Sequence, residues 1–302
     1  MKKEVIIYVL LIIGLFLWLL PSVGQAATVN CNLGQSLQGA INSAAAGSTI
    51  KVKGTCNENV LIDETRINIT LDGGGTATIH GTSVTQDTVD VRGRGIVIKR
   101  LHITGGNNGI NVHRGGTATI DSNTIELTNN NGVLVGAAGF ATFINNMIQN
   151  NTQHGIGIQD NATAHIGFDS YSDTVAQPNT IQNNGNQGIN IQRSSSASVV
   201  GNIIKNNTYN GIKVRRDSHA DISANVINGN DYNGIRVEDN SGVNLGNTTG
   251  STIFDLSNST TVNNGIKGIS CNIGGYADGL LGTLNGVNGA TVFSKGCVNN
   301  LI

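Results

Sequence analysis

The 302-residue chain carries 18 Lys and Arg against 19 Asp and Glu, a net charge of −1, and only 12% of its residues are charged. A balance so near neutral and so poor in charge gives no general attraction to nucleic acid or to an anionic membrane surface. It leaves 41 Gly and 42 Asn to be explained, a composition that asks for many turns and much side-chain amide pairing.

Met1, Lys2 and Lys3 precede the apolar run Val5 to Leu20, which breaks at Pro21 before Ser22-Val23-Gly24-Gln25-Ala26-Ala27. That order is expected of a secretory signal peptide over residues 1–26, with small residues at Gly24 and Ala26 and cleavage after Ala26. An uncleaved anchor is the competing reading, although the run falls short of the roughly 20 apolar residues that span a bilayer. Without Lys2, Lys3 and Glu4, the remainder holds 16 basic and 18 acidic residues and no further membrane span. The expected location is therefore secreted, periplasmic or cell-surface.

Residues 27–60 read as an N-terminal cap and first rung. Ser36-Leu37-Gln38-Gly39-Ala40-Ile41-Asn42-Ser43-Ala44 has the spacing of a short amphipathic helix before Gly47, and Thr49-Ile50-Lys51-Val52 that of a strand. A helix over an open sheet end guards it against edge-to-edge association.

From residue 61 to 270 the chain repeats. A polar residue, Gly, an apolar residue, any residue and a second apolar residue recur at Asn108–Val112, Asn131–Val135, His154–Ile158, Gln187–Ile191, Asn210–Val214 and Asn233–Val237, and more weakly at Asn264-Gly265-Ile266. The glycines are 23 residues apart from Gly109 to Gly132 to Gly155, and again from Gly188 to Gly211 to Gly234; the 33-residue step between 155 and 188 implies a ten-residue insertion. Each unit offers a second alternating pair, such as Ala118 and Ile120 or Ala141 and Phe143. A third apolar site follows at Ile125, Ile148, Ile181, Ile204 and Ile227. Three brief β-branched strands per unit cannot bury an apolar face alone, but stacked in parallel they enclose a core.

Stacking puts Asn123, Asn146, Asn179, Asn202 and Asn225 in one column and Asn151, Asn184, Asn207 and Asn230 in another, where amides can pair with the next rung and with turn backbone. The repeated Gly suits a corner with positive φ. Residues 271–302 are Gly-rich and read as a C-terminal cap closed by a disulfide. Four cysteines in an exported chain, Cys31, Cys56, Cys271 and Cys297, allow three pairings. Pairing within each end is favoured because a rod holds its ends far apart. No CxxC or HxxxH spacing calls for a metal, and no motif calls for a cofactor.

The SLQGAINSAAAGSTIKV opening, the GTCNENVLI segment and the NxI…N…GIxV rungs, over about residues 34 to 270, resemble the pectin-lyase-like superfamily, in its branch of generic β-helix repeats. The resemblance implies an all-β, right-handed parallel β-helix with a short N-terminal capping helix. It does not fix an activity, since the superfamily holds polysaccharide lyases, glycoside hydrolases, uronate epimerases, tailspikes and adhesins. The hydrolase blocks are missing: Asn123-Thr124 and Asn179-Thr180 continue into Ile, and Gln153-His154-Gly155 is one more instance of the repeat corner. Of the mannuronan epimerase block Tyr-Gly-Phe-Asp-Pro-His, Gly167-Phe168-Asp169-Ser170 keeps only the middle. No carboxylate pair stands out for acid and nucleophile roles.

Outward positions of the first strand then carry the functional expectation. They read Asn190 and Gln192, Lys213 and Arg215, Arg236 and Glu238, with Arg193, Arg216 and Asp239 next along the chain. These are either solvated charges that keep a solenoid soluble or a groove for an anionic glycan, in which arginine captures carboxylates in bidentate fashion. In a lyase or epimerase, Lys213 or Arg215 would be the base or the charge neutraliser. His80, His102, His165 and His219 read as surface residues, and Tyr209 over Tyr232 as a structural ladder rather than a sugar platform. The leading expectation is non-catalytic binding of an extended polysaccharide, with its acidity left open, or of a surface partner. A polysaccharide lyase or uronate epimerase comes second, and a purely structural or adhesive element third.

Overall fold

The computed structural model describes residue 24 and residues 26–247, 252–294 and 296–302. The core of the expected export signal lies outside the described residues.

One rung shows why the chain coils. Ile110–Val112, Thr117–Asp121 and Thr124–Glu126 form three short strands, and Ile110, Val112, Ala118, Ile120 and Ile125 point inward and are buried. Strands of three to five residues have no stability alone; the rungs on either side supply their hydrogen bonds and the other half of their apolar contacts. The pairing is parallel and keeps the repeat in register: Ile110, Val133, Ile156, Ile189, Ile212, Ile235 and Ile269 are successive partners on one face. Among the described residues ten such strands, from Val60–Ile62 to Thr291–Phe293, build this front sheet. The other two faces merge into one 18-stranded sheet because Thr70–Gly81 and Ile96–Gly105 run through both. The chain is thus an all-β parallel solenoid with one short α-helix, Leu37–Ser43, among the described residues.

That helix starts at Ser36, whose side chain accepts the Gly39 N–H, while the Glu58 carboxylate takes the N–H groups of Leu37 at 2.8 Å and Gln38 at 3.1 Å. A carboxylate there satisfies donors left over at a helix start. Leu37 and Ile41 bury completely against the core. At the other end, Ile269–Cys271, Tyr276–Gly279, Thr291–Phe293 and Val298–Leu301 continue the parallel register past residue 271. Cys31 is bonded to Cys56 and Cys271 to Cys297, the pairing within each end.

Both asparagine columns form. Asn202 is typical: its Nδ2 donates to the Ile166 carbonyl at 2.8 Å and its Oδ1 accepts from Asn179 N at 3.0 Å and Asn179 Nδ2 at 2.9 Å, with the side chain wholly buried. The first column runs on to Asn258 and the second to Asn264.

Two sequence expectations need correction. Gly109, Gly132, Gly155, Gly188, Gly211 and Gly234 do not take positive φ. They are glycine because the chain passes too close to the next rung: a Cβ on Gly188 would lie 2.7 Å from both the Gly211 carbonyl oxygen and Ile204 Cγ2. Positive φ falls instead on turn pairs such as Arg193-Ser194 and Arg216-Asp217. The front-sheet repeat that follows Gly234 is Gly268-Ile269-Ser270-Cys271, not Gly265-Ile266, since Ile235 pairs with Ile269 and Asn264 is used in the asparagine column.

Candidate functional site

The outward positions of the front sheet form two columns. Asn111, Leu134, Gly157, Asn190, Lys213 and Arg236 are successive partners in the first, and Gln159, Gln192 and Arg215 in the second. Gly157 is the one member of that run without a side chain, and its absence opens a hollow of about 220 Å³. The walls are Leu134, His154, Gln159, Asn190 and Gln192.

Polar atoms in the hollow, and at Arg215 one rung from Gln192, lack partners among the described residues. Oδ1 of Asn190, Oε1 of Gln192 and Nε of Arg215 are each buried with no hydrogen bond, and Asn190 and Gln192 are 1% and 7% exposed. A buried polar atom left unpaired costs on the order of 1–3 kcal/mol. Burial and the neighbouring Arg216 charge push the Arg215 pKa below its ordinary value, although a guanidinium remains charged at any physiological pH.

His154 sits at one corner. In the preceding rung this position is Asn131, whose Oδ1 accepts the backbone N–H of His154 at 3.2 Å. His154 does the same with Nδ1, which accepts the Gln187 N–H at 3.3 Å. An accepting Nδ1 leaves the proton on Nε2 and the ring neutral. Burial, with the charges of Arg215 and Lys213, lowers its pKa to about 4.

Beyond Asn190 the groove is charged. Glu238 accepts from Lys213 Nζ and from Arg236 Nε, both at 2.6 Å. Burial raises the Glu238 pKa, but the hydrogen bonds from Lys213 and Arg236 outweigh it and hold the carboxylate below its usual range. The structure therefore brings Lys213, Arg215, Arg236 and Glu238 together on one face. Arg193 and Arg216 lie apart from them: both are exposed in the turn after the strand, and Arg193 pairs with Asp160 at 3.4 Å. His154 was missed by sequence reasoning because the Gly after it made it look like one more corner. The usable signal was the substitution itself, a titratable ring where Asn131, Gln187, Asn210 and Asn233 stand in other rungs. Among the described residues, no group of three His, Cys, Asp or Glu side chains is arranged to hold a metal ion.

Towards the N-terminal end the same face carries Asp90, which accepts from Arg92 Nη2 at 2.8 Å and lies 2.7 Å from His113 Nε2. Charge on the front sheet is thus acidic and paired at one end, uncharged at the hollow and basic beyond it.

The model of the right handed beta helix region matches residues 48–172 and 164–297. No curated protein matches the chain. Among solved structures, a periplasmic alginate epimerase, AlgG, superposes with a TM-score of 0.55 at 15% identity, over 91% of this chain and 82% of that one. The A-module of the mannuronan C-5 epimerase AlgE4 of Azotobacter vinelandii superposes with a TM-score of 0.52 at 14% identity, over 88% and 90% of the two chains. Identities this low establish a shared fold and nothing finer. The repeat register, the buried ladders and the match over most of the described solenoid place the chain in the right-handed β-helix family.

Proposed function

We propose that the chain binds an acidic polysaccharide along its front sheet, with one sugar unit over Gly157 and acidic groups of the polymer held by Arg215 and its neighbours. The observation that carries this reading is the uncharged polar hollow over Gly157, lined by His154, Gln159, Asn190 and Gln192, with Arg215 next in register to Gln192. Amide oxygens there accept sugar hydroxyls, and the guanidinium donates to a carboxylate or sulfate. Both outward columns are in register along the axis, so an extended polymer can follow them from rung to rung. The polysaccharide-modifying proteins that share the fold act on polymers of this acidic kind, and two disulfides fit a secreted or periplasmic setting.

A second reading, a lyase or epimerase acting on uronate units, is supported by the fold shared with alginate and mannuronan epimerases and by the cations Arg215 and Arg236 on the front sheet. A cation on the front sheet would stabilise the charge that develops on a uronate carboxylate, but His154 is unsuited to take the neighbouring proton, since its Nδ1 accepts the Gln187 N–H and its Nε2 carries the ring proton. Lys213 is unsuited to the base role, because its ammonium is held by Glu238. The backbones of His154 and Arg215 are two rungs apart, on the order of 10 Å along the axis at the usual strand spacing. That distance suits successive contacts on a polymer better than a joint attack on one sugar, which keeps binding as the first reading.

The test is a screen of the mature chain against uronic polysaccharides by calorimetry, with the ultraviolet absorbance of unsaturated uronate followed in parallel and Arg215→Ala beside it. Binding weakened by Arg215→Ala without growth of absorbance or change in uronate configuration supports the first reading. Absorbance growth, or a changed configuration, establishes the second.

A further inference from the structure

The back of the solenoid holds a larger cavity, of about 400 Å³, that plays no part in the groove. Its floor is another outward column, Ser198, Asp221, Asn244 and Asp278, four successive partners in the parallel register. One wall comes from the ten-residue insertion and the other from a second insertion after Leu245. The first brings in Tyr171, whose Oη lies 2.9 Å from Ser198 Oγ, and the second brings in Phe254. The two rings lie 5.3 Å apart at an angle of 38°. They are anchored by a small apolar cluster in which Phe168, wholly buried, packs edge-on to Phe254 and between Val200 and Ile253. Two insertions from different rungs thus fold over one column of the same sheet.

The chemistry of this cavity is the reverse of that on the front. Among the described residues its lining includes the carboxylates of Asp221 and Asp278 and no Lys or Arg. Asp221 is fixed in place: it accepts from Asn244 Nδ2 at 3.0 Å and lies 3.1 Å from His219 Nε2, and His219 Nδ1 in turn lies 3.0 Å from Tyr276 Oη. Among the described residues Asp278 has a single longer contact, from Asn300 Nδ2 at 3.4 Å, which leaves most of its capacity to accept. Tyr171 is 63% exposed, an unusual amount for an aromatic ring that a loop holds in place over a cavity.

We infer that this back-face cavity is a second carbohydrate site, one that takes an uncharged sugar. A neutral pyranose offers an apolar C–H face and a rim of hydroxyl donors. The aromatic wall matches the first, and the carboxylate and amide oxygens of Asp221, Asn244 and Asp278 match the second. A uronate is rejected, because its carboxylate would meet two carboxylates with no cation to offset them. The protein then presents two sugar-binding faces of opposite preference, uronic in front and neutral behind, as suits a molecule bridging two polymers.

The test is titration of the mature chain with cello-, xylo-, manno- and galacto-oligosaccharides, followed by calorimetry and by NMR shifts of the Tyr171 ring. Saturable binding of one of these is expected, unchanged by added NaCl, by Arg215→Ala or by polygalacturonate as competitor. Tyr171→Ala is expected to weaken it at least tenfold, whereas Tyr171→Phe, which keeps the ring, is expected to weaken it only a few-fold. Asp278→Ala should lower affinity without moving the unfolding midpoint, which separates loss of a contact from loss of the fold. The proposal is overturned if the folded chain binds none of the four sugars, if Tyr171→Ala and Asp278→Ala leave binding intact, or if polygalacturonate competes. Arg215→Ala acts on the front groove alone, so failure of one site is read independently of the other.

Discussion

The backbone N–H of Gln187 donates to Nδ1 of His154, so a histidine performs in one rung the ladder role that Asn131 performs one rung earlier. The bond exists only while Nδ1 is unprotonated. Protonation would turn an acceptor into a donor facing another donor, next to Arg215 and Lys213.

The pH dependence follows with a definite sign. His154 has a folded pKa of about 4 against an ordinary 6.5, so between those values the unfolded chain takes up a proton that the folded chain refuses. Its contribution to stability is complete above pH 6.5 and is lost as the pH falls towards 4, by at most about 3 kcal/mol. Burial lowers the His165 pKa as well, which adds a slope of the same sign. Denaturant unfolding of wild type and His154→Asn across this range isolates the first effect. The variant is expected to lose less stability on acidification, and parallel curves would refute the assignment.

Asn202→Ala removes a donor to the Ile166 and Val200 carbonyls and the acceptor for two N–H groups of Asn179, all in a dry interior. Several buried groups are stranded at once, and a loss of about 3 kcal/mol is expected in chemical unfolding. Asn240→Ala, in an exposed turn, serves as the control and should cost far less.

Glu238→Gln takes away the carboxylate that pairs Lys213 and Arg236 with each other's neighbourhood. The two cations are then released to an outside anion. Stability should fall by about 2 kcal/mol, because the side chains are only partly solvated. Affinity for polygalacturonate should rise several-fold, read by calorimetry at fixed salt.

Cys271→Ser with Cys297→Ser opens a loop of sequence separation 26 at the last rungs. A crosslink of that span is worth about 3 kcal/mol, and in a stacked repeat its loss is felt locally. Hydrogen exchange is expected to quicken in Tyr276–Gly279 and Val298–Leu301 while the central rungs keep their protection.

Much of this fold was legible in the residues. Period-23 glycines, alternating Ile and Val and two asparagine columns each had one stable reading, because a strand of three residues has no other way to bury its face. The role of the glycines was misread, since close approach between rungs depends on neighbours that sequence does not display. The candidate site was half legible. Outward charges such as Lys213 and Arg236 followed from strand alternation, but their pairing with Glu238 and the turn placement of Arg193 and Arg216 depend on side-chain geometry. The hollow itself follows from Gly157, which alternation alone marks only as a small outward residue. The back-face cavity depends on two insertions meeting in space, and no spacing along the chain announces that.

The most direct measurement is the affinity of polygalacturonate for Gly157→Asn beside wild type, both checked for unchanged unfolding. Asn occupies the same column at Asn111 and Asn190, and a Cβ on Gly157 meets nothing nearer than Leu134 Cδ1 at 3.3 Å, so the variant fills the hollow without disturbing the coil. At least a tenfold weaker affinity in the variant is the expected result. Equal affinity in the two proteins, or no binding by the wild type, would contradict a polysaccharide groove centred on Gly157.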